Sequence, residues 1–207
     1  MKSVFADKKV RFSEAHRKNV MTLLKFTFRF QKTLQAAAYL LLKADKRLNY
    51  MHVIKLLYIA DREYLAEEGD MITGDSCYAL NNGPVLSGTY NLIKNKHPLA
   101  TQWKKYIQTD HYDLLLIESP GDDELCAAEK EKLDSVYGRY DKNYDVFDLV
   151  GLTHEYSEWE KNHRTGTSTL IPVEDILDAQ NKSELIPIVA ETLQMEEYNN
   201  RLFGTVQ

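Results

Sequence analysis

A mainly α-helical α+β fold, a compact helical domain with a small β-hairpin or sheet, is what this sequence predicts. Three observations lead there. Tyr50 to Glu68 places Val53, Leu56, Leu57, Ala60, Tyr64 and Leu65 three and four residues apart, the repeat that gives a helix one broad apolar face. Ala and Leu dominate Leu34 to Ala44, and Ser183 to Phe203 reads as one closing helix stopped by Gly204. Strand signals are few: Trp103 to Gln108 and Tyr112 to Ile117 flank Thr109-Asp110-His111 as the arms of a hairpin.

The remaining elements follow in chain order. Lys25 to Phe30 alternates phenylalanine with polar residues, the period of a half-buried strand. Leu34 to Ala44 is a short buried helix. Asn49 offers a side-chain oxygen to the first amides of the Tyr50 helix, and Gly69 stands where a left-handed cap belongs. Met71 to Asn82 is turn-rich around the apolar piece Cys77 to Leu80. Pro84 is expected to open a helix ending near Lys96, because Pro98 disfavours helical geometry just before it. Asp122 and Asp123 precede a helix striped by Leu125, Ala128, Leu133, Val136 and Tyr140, where acids suit the positive end of the dipole. Val146 to Leu152 is a short helix, and Thr153 is expected to cap the next one, from His154. Gly166 to Thr169 is a loop, and Pro172 opens a further helical turn. The chain divides into a basic extension, residues 1–25, and one domain, 26–207, whose last helices extend it.

Charge is unevenly spread. The net value is −5, yet residues 1–32 hold nine Lys/Arg against two Asp/Glu, leaving −12 on the rest. An acidic body repels phosphates, so nucleic acid is not an expected partner of the domain. The basic segment reads as a solvated extension, or as a start upstream of a second initiation site at Met21. Thirteen tyrosines supply amphipathic contact area, for semi-buried packing first and for a protein-binding surface second. Cys77 and Cys126 have no paired spacing, which fits a reducing compartment. The segment Met1 to Lys9 lacks the apolar run of a leader, and the longest such run, Ala36 to Leu42, is too short to span a bilayer. A cytoplasmic protein without a membrane partner is expected.

Motifs that promise chemistry each fail on a working group. ALNNGPVLSGTY, Ala79 to Tyr90, has the glycine spacing of a phosphate loop, but Thr89 and Tyr90 stand where lysine and a hydroxyl residue are needed, and Pro84 removes an amide. Asp141 to Asp145 imitates a calcium loop with Val146 in place of its glycine and Leu152 in place of its bidentate glutamate. His154-Glu155 lacks a second histidine at 158, where Glu158 stands. His154 and Glu158 lie one turn apart, and a hydrolase built on them, or on Asp61 with Arg62, is the weaker alternative to a non-catalytic protein. No cofactor, metal or catalytic group is expected.

Three stretches carry a resemblance: KLLYIADREYL (Lys55–Leu65), ITGDSCYALNNGPVLSGTYNLI (Ile72–Ile93) and DLVGLTHEYSEWEK (Asp148–Lys161). In order and type they resemble the Panacea domain, the SocA-like antitoxin family, over roughly Phe28 to Trp159. The family usually has a proline before the tryptophan; here it is Glu158. The resemblance implies a mainly helical fold and an antitoxin that neutralises a protein toxin encoded beside it. One branch delivers its toxin to a cytoplasmic AAA+ protease, and phage or prophage settings are common. The matched residues Asp61, Arg62, Gly83, Pro84, Val85, Tyr90, His154 and Trp159 are the implied protein-binding candidates. Physically, Asp61 and Arg62 are expected to hold the Thr73-Gly74-Asp75 turn first and to meet a partner second. Gly83 to Val85 fix a helix entry, Tyr90 projects from that helix, and Trp159 packs its own helix on the body. A DNA-binding autoregulator acting through residues 1–32 is the remaining alternative.

Overall fold

The structure, a computed structural model, describes residues 23–204. The basic extension expected over residues 1–25 lies, up to residue 22, outside the described residues.

One helix organises the molecule. α1 (Phe30–Lys43) leads through β1 (Arg47–Asn49) into α2 (Tyr50–Glu68). α2 begins where the Asn49 side chain accepts the Met51 amide at 2.9 Å. It ends at Gly69, whose φ of 71° lets its N–H close on Leu65 O at 3.0 Å. Between these caps every residue from His52 to Asp61 is buried, the polar His52, Lys55 and Asp61 included. The neighbours of α2 explain this. It is surrounded by α1, α5 (Ala127–Arg139), α6 (Val146–His154), α8 (Val173–Ala179) and the strand β3 (Gly83–Leu86). A helix covered on all sides has no solvent face, so its polar residues need partners inside the protein.

Two small antiparallel sheets flank the bundle. β1 pairs with β5 (Asp113–Leu116), which pairs with β4 (Ile107–Asp110). β2 (Cys77–Leu80) lies between β3 and β6 (Thr169–Leu170), with Leu80 opposite Gly83 across an Asn81-Asn82 turn. The short helices α3 (Ser87–Ile93), α4 (Ala100–Tyr106) and α7 (Ser157–Asn162) fill the gaps, and α9 (Ile186–Phe203) closes the described chain after a 3-10 turn at Ser183–Leu185. The mainly helical α+β class is the one the sequence predicts. Among the described residues no helix is long and apolar enough to cross a membrane.

Four local expectations are corrected. Pro84 lies in β3 rather than opening a helix; β3 is an edge strand, so the missing N–H breaks no ladder bond. Trp103 belongs to α4, buried on its inner side, and the hairpin arm starts only at Ile107. Thr153 sits inside α6, its hydroxyl donating to Val150 O at 2.9 Å, and α7 starts only at Ser157, after Tyr156. Residues 25–29 join no sheet; the alternation is real, with Phe26 buried between exposed Lys25 and Thr27, but the segment packs on the Gly74 turn instead of on a strand.

Candidate functional site

Along α2, residues 55, 58 and 62 fall on one side, the i, i+3, i+7 spacing, and Asp61 on an adjacent one. Each leads to a separate polar arrangement.

Asp61 does what the sequence predicts. Its carboxylate accepts the Thr73 amide at 2.9 Å and the Thr73 hydroxyl, so it holds the Thr73-Gly74-Asp75 turn. Asp75 in turn accepts the Gly88 and Thr89 amides at 2.8 and 2.7 Å and the Thr89 hydroxyl at 2.9 Å. These are orphan donors at the start of α3, so the turn fixes the helix that bears Tyr90. Arg62 does not join the turn. Its Nε donates to Glu158 Oε1 at 2.6 Å, and its guanidinium lies 4.2 Å over the Tyr156 ring. Glu158 is fully buried and also accepts the Tyr58 hydroxyl at 2.9 Å. Glu158 thus ties α7 to α2 through Tyr58 and Arg62.

The third arrangement gathers most of the remaining candidates. Lys55 is buried and donates to Pro84 O at 2.8 Å. Gly83 passes so close that a Cβ there would stand 2.5 Å from Lys55 Nζ, 2.7 Å from Thr153 Oγ1 and 3.3 Å from a His154 ring carbon. The left-handed residue of this hairpin is Gly83, with φ of 89°, and neither asparagine of the turn. His154 stacks on Trp159 with centroids 4.0 Å apart, and Trp159 on His163 at 4.4 Å. Trp159 Nε1 donates to Leu80 O at 3.0 Å, while His163 Nε2 lies 3.2 Å from Asn81 Oδ1. This ladder of three rings pins the hairpin turn to α6 and α7. Burial holds the His154 imidazole below its usual range, helped by the Lys55 and His163 charges.

Above this floor opens a cavity of about 400 Å³, lined by Tyr50, Ile54, Leu80, Asn82, Val85 and Tyr90, among others. At its rim Lys94 Nζ sits 3.9 Å over the Tyr50 ring and 5.5 Å from that of Tyr90, and Tyr112, exposed, stacks on Tyr50 at 6.3 Å. Val85 and Tyr90 therefore line the cavity. Gly83 and Pro84 belong to the hairpin beneath it, His154 and Trp159 to the ring ladder that pins that hairpin, and Asp61 and Arg62 to the frame of α2. The His154–Glu158 pair is not assembled: His154 faces Trp159, and Glu158 is engaged by Tyr58 and Arg62. Among the described residues no group of three His, Cys, Asp or Glu side chains is placed to hold a metal ion.

Sequence reasoning passed over Lys55, Tyr50 and Lys94. Lys55 was legible only as the one charged residue within the helix's first apolar turns, a signal equally expected of a solvated side chain.

The buried ionisable groups give a pH signature. Burial lowers the Lys55 ammonium from 10.5 to about 7 and raises the Asp61 carboxyl from 3.8 to about 7. Between 3.8 and about 7 the folded chain holds the extra proton on Asp61, so its contribution to stability falls as pH rises, opposed near 6.5 by the His52 and His154 imidazoles that burial lowers. From about 7 towards 10.5 the unfolded chain holds the extra proton on Lys55, so stability climbs, by at most about 1.4 kcal/mol per pH unit. The climb is cut short where Tyr58 and Cys77, both raised by burial, begin to oppose it. Urea midpoints at about pH 5, 7 and 9 are expected to show a minimum in the middle. Lys55→Met should flatten the alkaline limb and Asp61→Asn the acid one; unchanged limbs would contradict both assignments.

A family model described as antitoxin SocA-like, Panacea domain, matches residues 53–160, from the first turn of α2 to α7. No curated protein and no solved structure matches the chain.

Proposed function

The chain belongs to the SocA-like antitoxin family defined by the Panacea domain, and on that premise we propose that it neutralises a protein toxin by binding it directly. The observation that carries this reading is the match over 53–160, which takes in the three polar arrangements except His163, the hairpin and most of the cavity above it. The cavity supports it physically. A rim of Tyr50, Tyr90 and Tyr112 around Lys94 offers rigid amphipathic anchors of the kind that dominate protein interfaces. The buried frame beneath keeps that rim in one arrangement before a partner arrives, which lowers the ordering cost of binding.

In this reading the toxin is encoded beside the antitoxin, both act in the cytoplasm, and the antitoxin makes and breaks no covalent bond. Its bound toxin is either blocked in place or handed to a cytoplasmic AAA+ protease. The acidic body leaves nucleic acid a minor role.

Co-expression with the adjacent gene product tests the proposal. Growth arrest by that product alone and its relief by this chain are expected. Tyr90→Ala should weaken the complex about thirtyfold, roughly 2 kcal/mol, while the free antitoxin stays folded with a modestly lower melting temperature, since Tyr90 is half-buried against the core. An adjacent product that is harmless alone, or toxicity that persists beside this chain, would refute the reading.

A further inference from the structure

The family match ends at residue 160, and α9 lies beyond it. One side of α9 is tied down: Val189 is buried, Ile186 and Leu193 pack on the core, and Glu196 comes within 3.8 Å of Arg29. The spacing 186, 189, 193 and 196 is that of one helical face. The opposite side is apolar too. Ile188, Met195 and Leu202 recur every seven residues, Tyr198 stands between the last two, and each is 55–59% exposed. From Gln194 to Phe203 every residue is exposed, so no described element covers the distal half. Among the described residues, five of the ten exposed large apolar side chains lie on this helix, counting Phe203. Single exposed apolar residues are ordinary; an aligned row about 20 Å long on a protruding helix is not.

Charge decides what fits the row. α9 carries Glu191, Glu196 and Glu197 against Arg201 alone, and Arg201 already pairs with Glu197 one turn back. Glu191 falls within the apolar row, between Ile188 and Met195, and has no cation partner among the described residues. A second copy would bring like-charged helices together, and in parallel pairing would set Glu191 against Glu191. An anionic membrane surface is repelled in the same way.

We infer that the outward face of α9, formed by Ile188, Met195, Tyr198 and Leu202 around Glu191, docks in an apolar groove rimmed by Lys or Arg on the toxin. The inference rests on the toxin-binding reading above for the identity of its partner and adds a contact outside the matched domain. The mode is that of an amphipathic helix in a groove, with anchors one and two turns apart. Glu191 supplies a charge whose pairing fixes the register, so recognition is specific as well as apolar.

The test uses the full chain and the adjacent gene product as probe. Isothermal titration is expected to show that Met195→Asp/Leu202→Asp weakens binding at least a hundredfold and Glu191→Lys at least tenfold, with Glu191→Gln weakened less. Because these side chains are exposed, the melting temperature of the free variants should stay at the parent value. Binding by all variants as tight as by the parent overturns the inference and leaves the toxin-binding reading standing. A parent chain that neither binds nor rescues removes that reading, and this one with it. A parent dimer that the double variant dissociates, seen by light scattering, would give the face to a second copy and overturn the inference as well.

Discussion

Glu158→Ala is expected to cost about 3–5 kcal/mol of folding stability, the largest loss for any single residue of the site. Glu158 is fully enclosed, and Arg62 retains only 14% of its side-chain exposure. Removing the carboxylate takes away the acceptor that the charged guanidinium and the buried Tyr58 hydroxyl share. Since a whole domain is stable by only about 5–15 kcal/mol, this one change consumes much of its margin. Urea unfolding at neutral pH measures it. A second variant separates mechanism from volume: Arg62→Met/Glu158→Leu removes both charges and should recover most of the loss. If Glu158→Ala unfolds at nearly the parent midpoint, the buried pair does not hold α7 to α2.

Gly83→Ala should cost about 3 kcal/mol. One part is backbone strain, since a φ of 89° disfavours any residue with a Cβ. The other is collision with Lys55 Nζ and Thr153 Oγ1. Flexible side-chain ends usually retreat, but these two are anchored, the ammonium on Pro84 O and the hydroxyl on Val150 O. Pairing the substitution with Lys55→Ala should show favourable coupling of about 1 kcal/mol, because the collision disappears while the strain stays. Additive losses would mean that the hairpin shifts away rather than pressing on the lysine. The same substitution is expected to impair toxin neutralisation, since the displaced strand carries Val85 and leads into the helix of Tyr90.

Lys55 and Glu158 show where the sequence stops informing. Nothing near either residue in the chain marks it as buried. Lys55 donates to a carbonyl 29 residues away, and Glu158 meets residues 96 and 100 positions earlier. Their partners exist only once α6, α7 and the hairpin have closed on α2. Tyr50 and Lys94 were missed for a related reason: the ring opens α2 and the cation follows α3, and no spacing announces them.

What the sequence by itself determined is the part settled within a few residues or by ordered motifs. The fold class is one such feature. The bounds of α2, from the Asn49 cap to the left-handed Gly69, are another, and so is Asp61 holding the turn that follows its own helix. The matched stretches sufficed for the family. The tertiary structure alone decided that Pro84 extends a strand, that Trp103 is helical, and that Lys55 lies dry beneath a cavity. Segments of four to seven residues gain too little from their own hydrogen bonds to fix a conformation, so the surface they pack against chooses it. A charged side chain on a helix is likewise wet or dry according to what covers that helix, and coverage is a property of the whole chain.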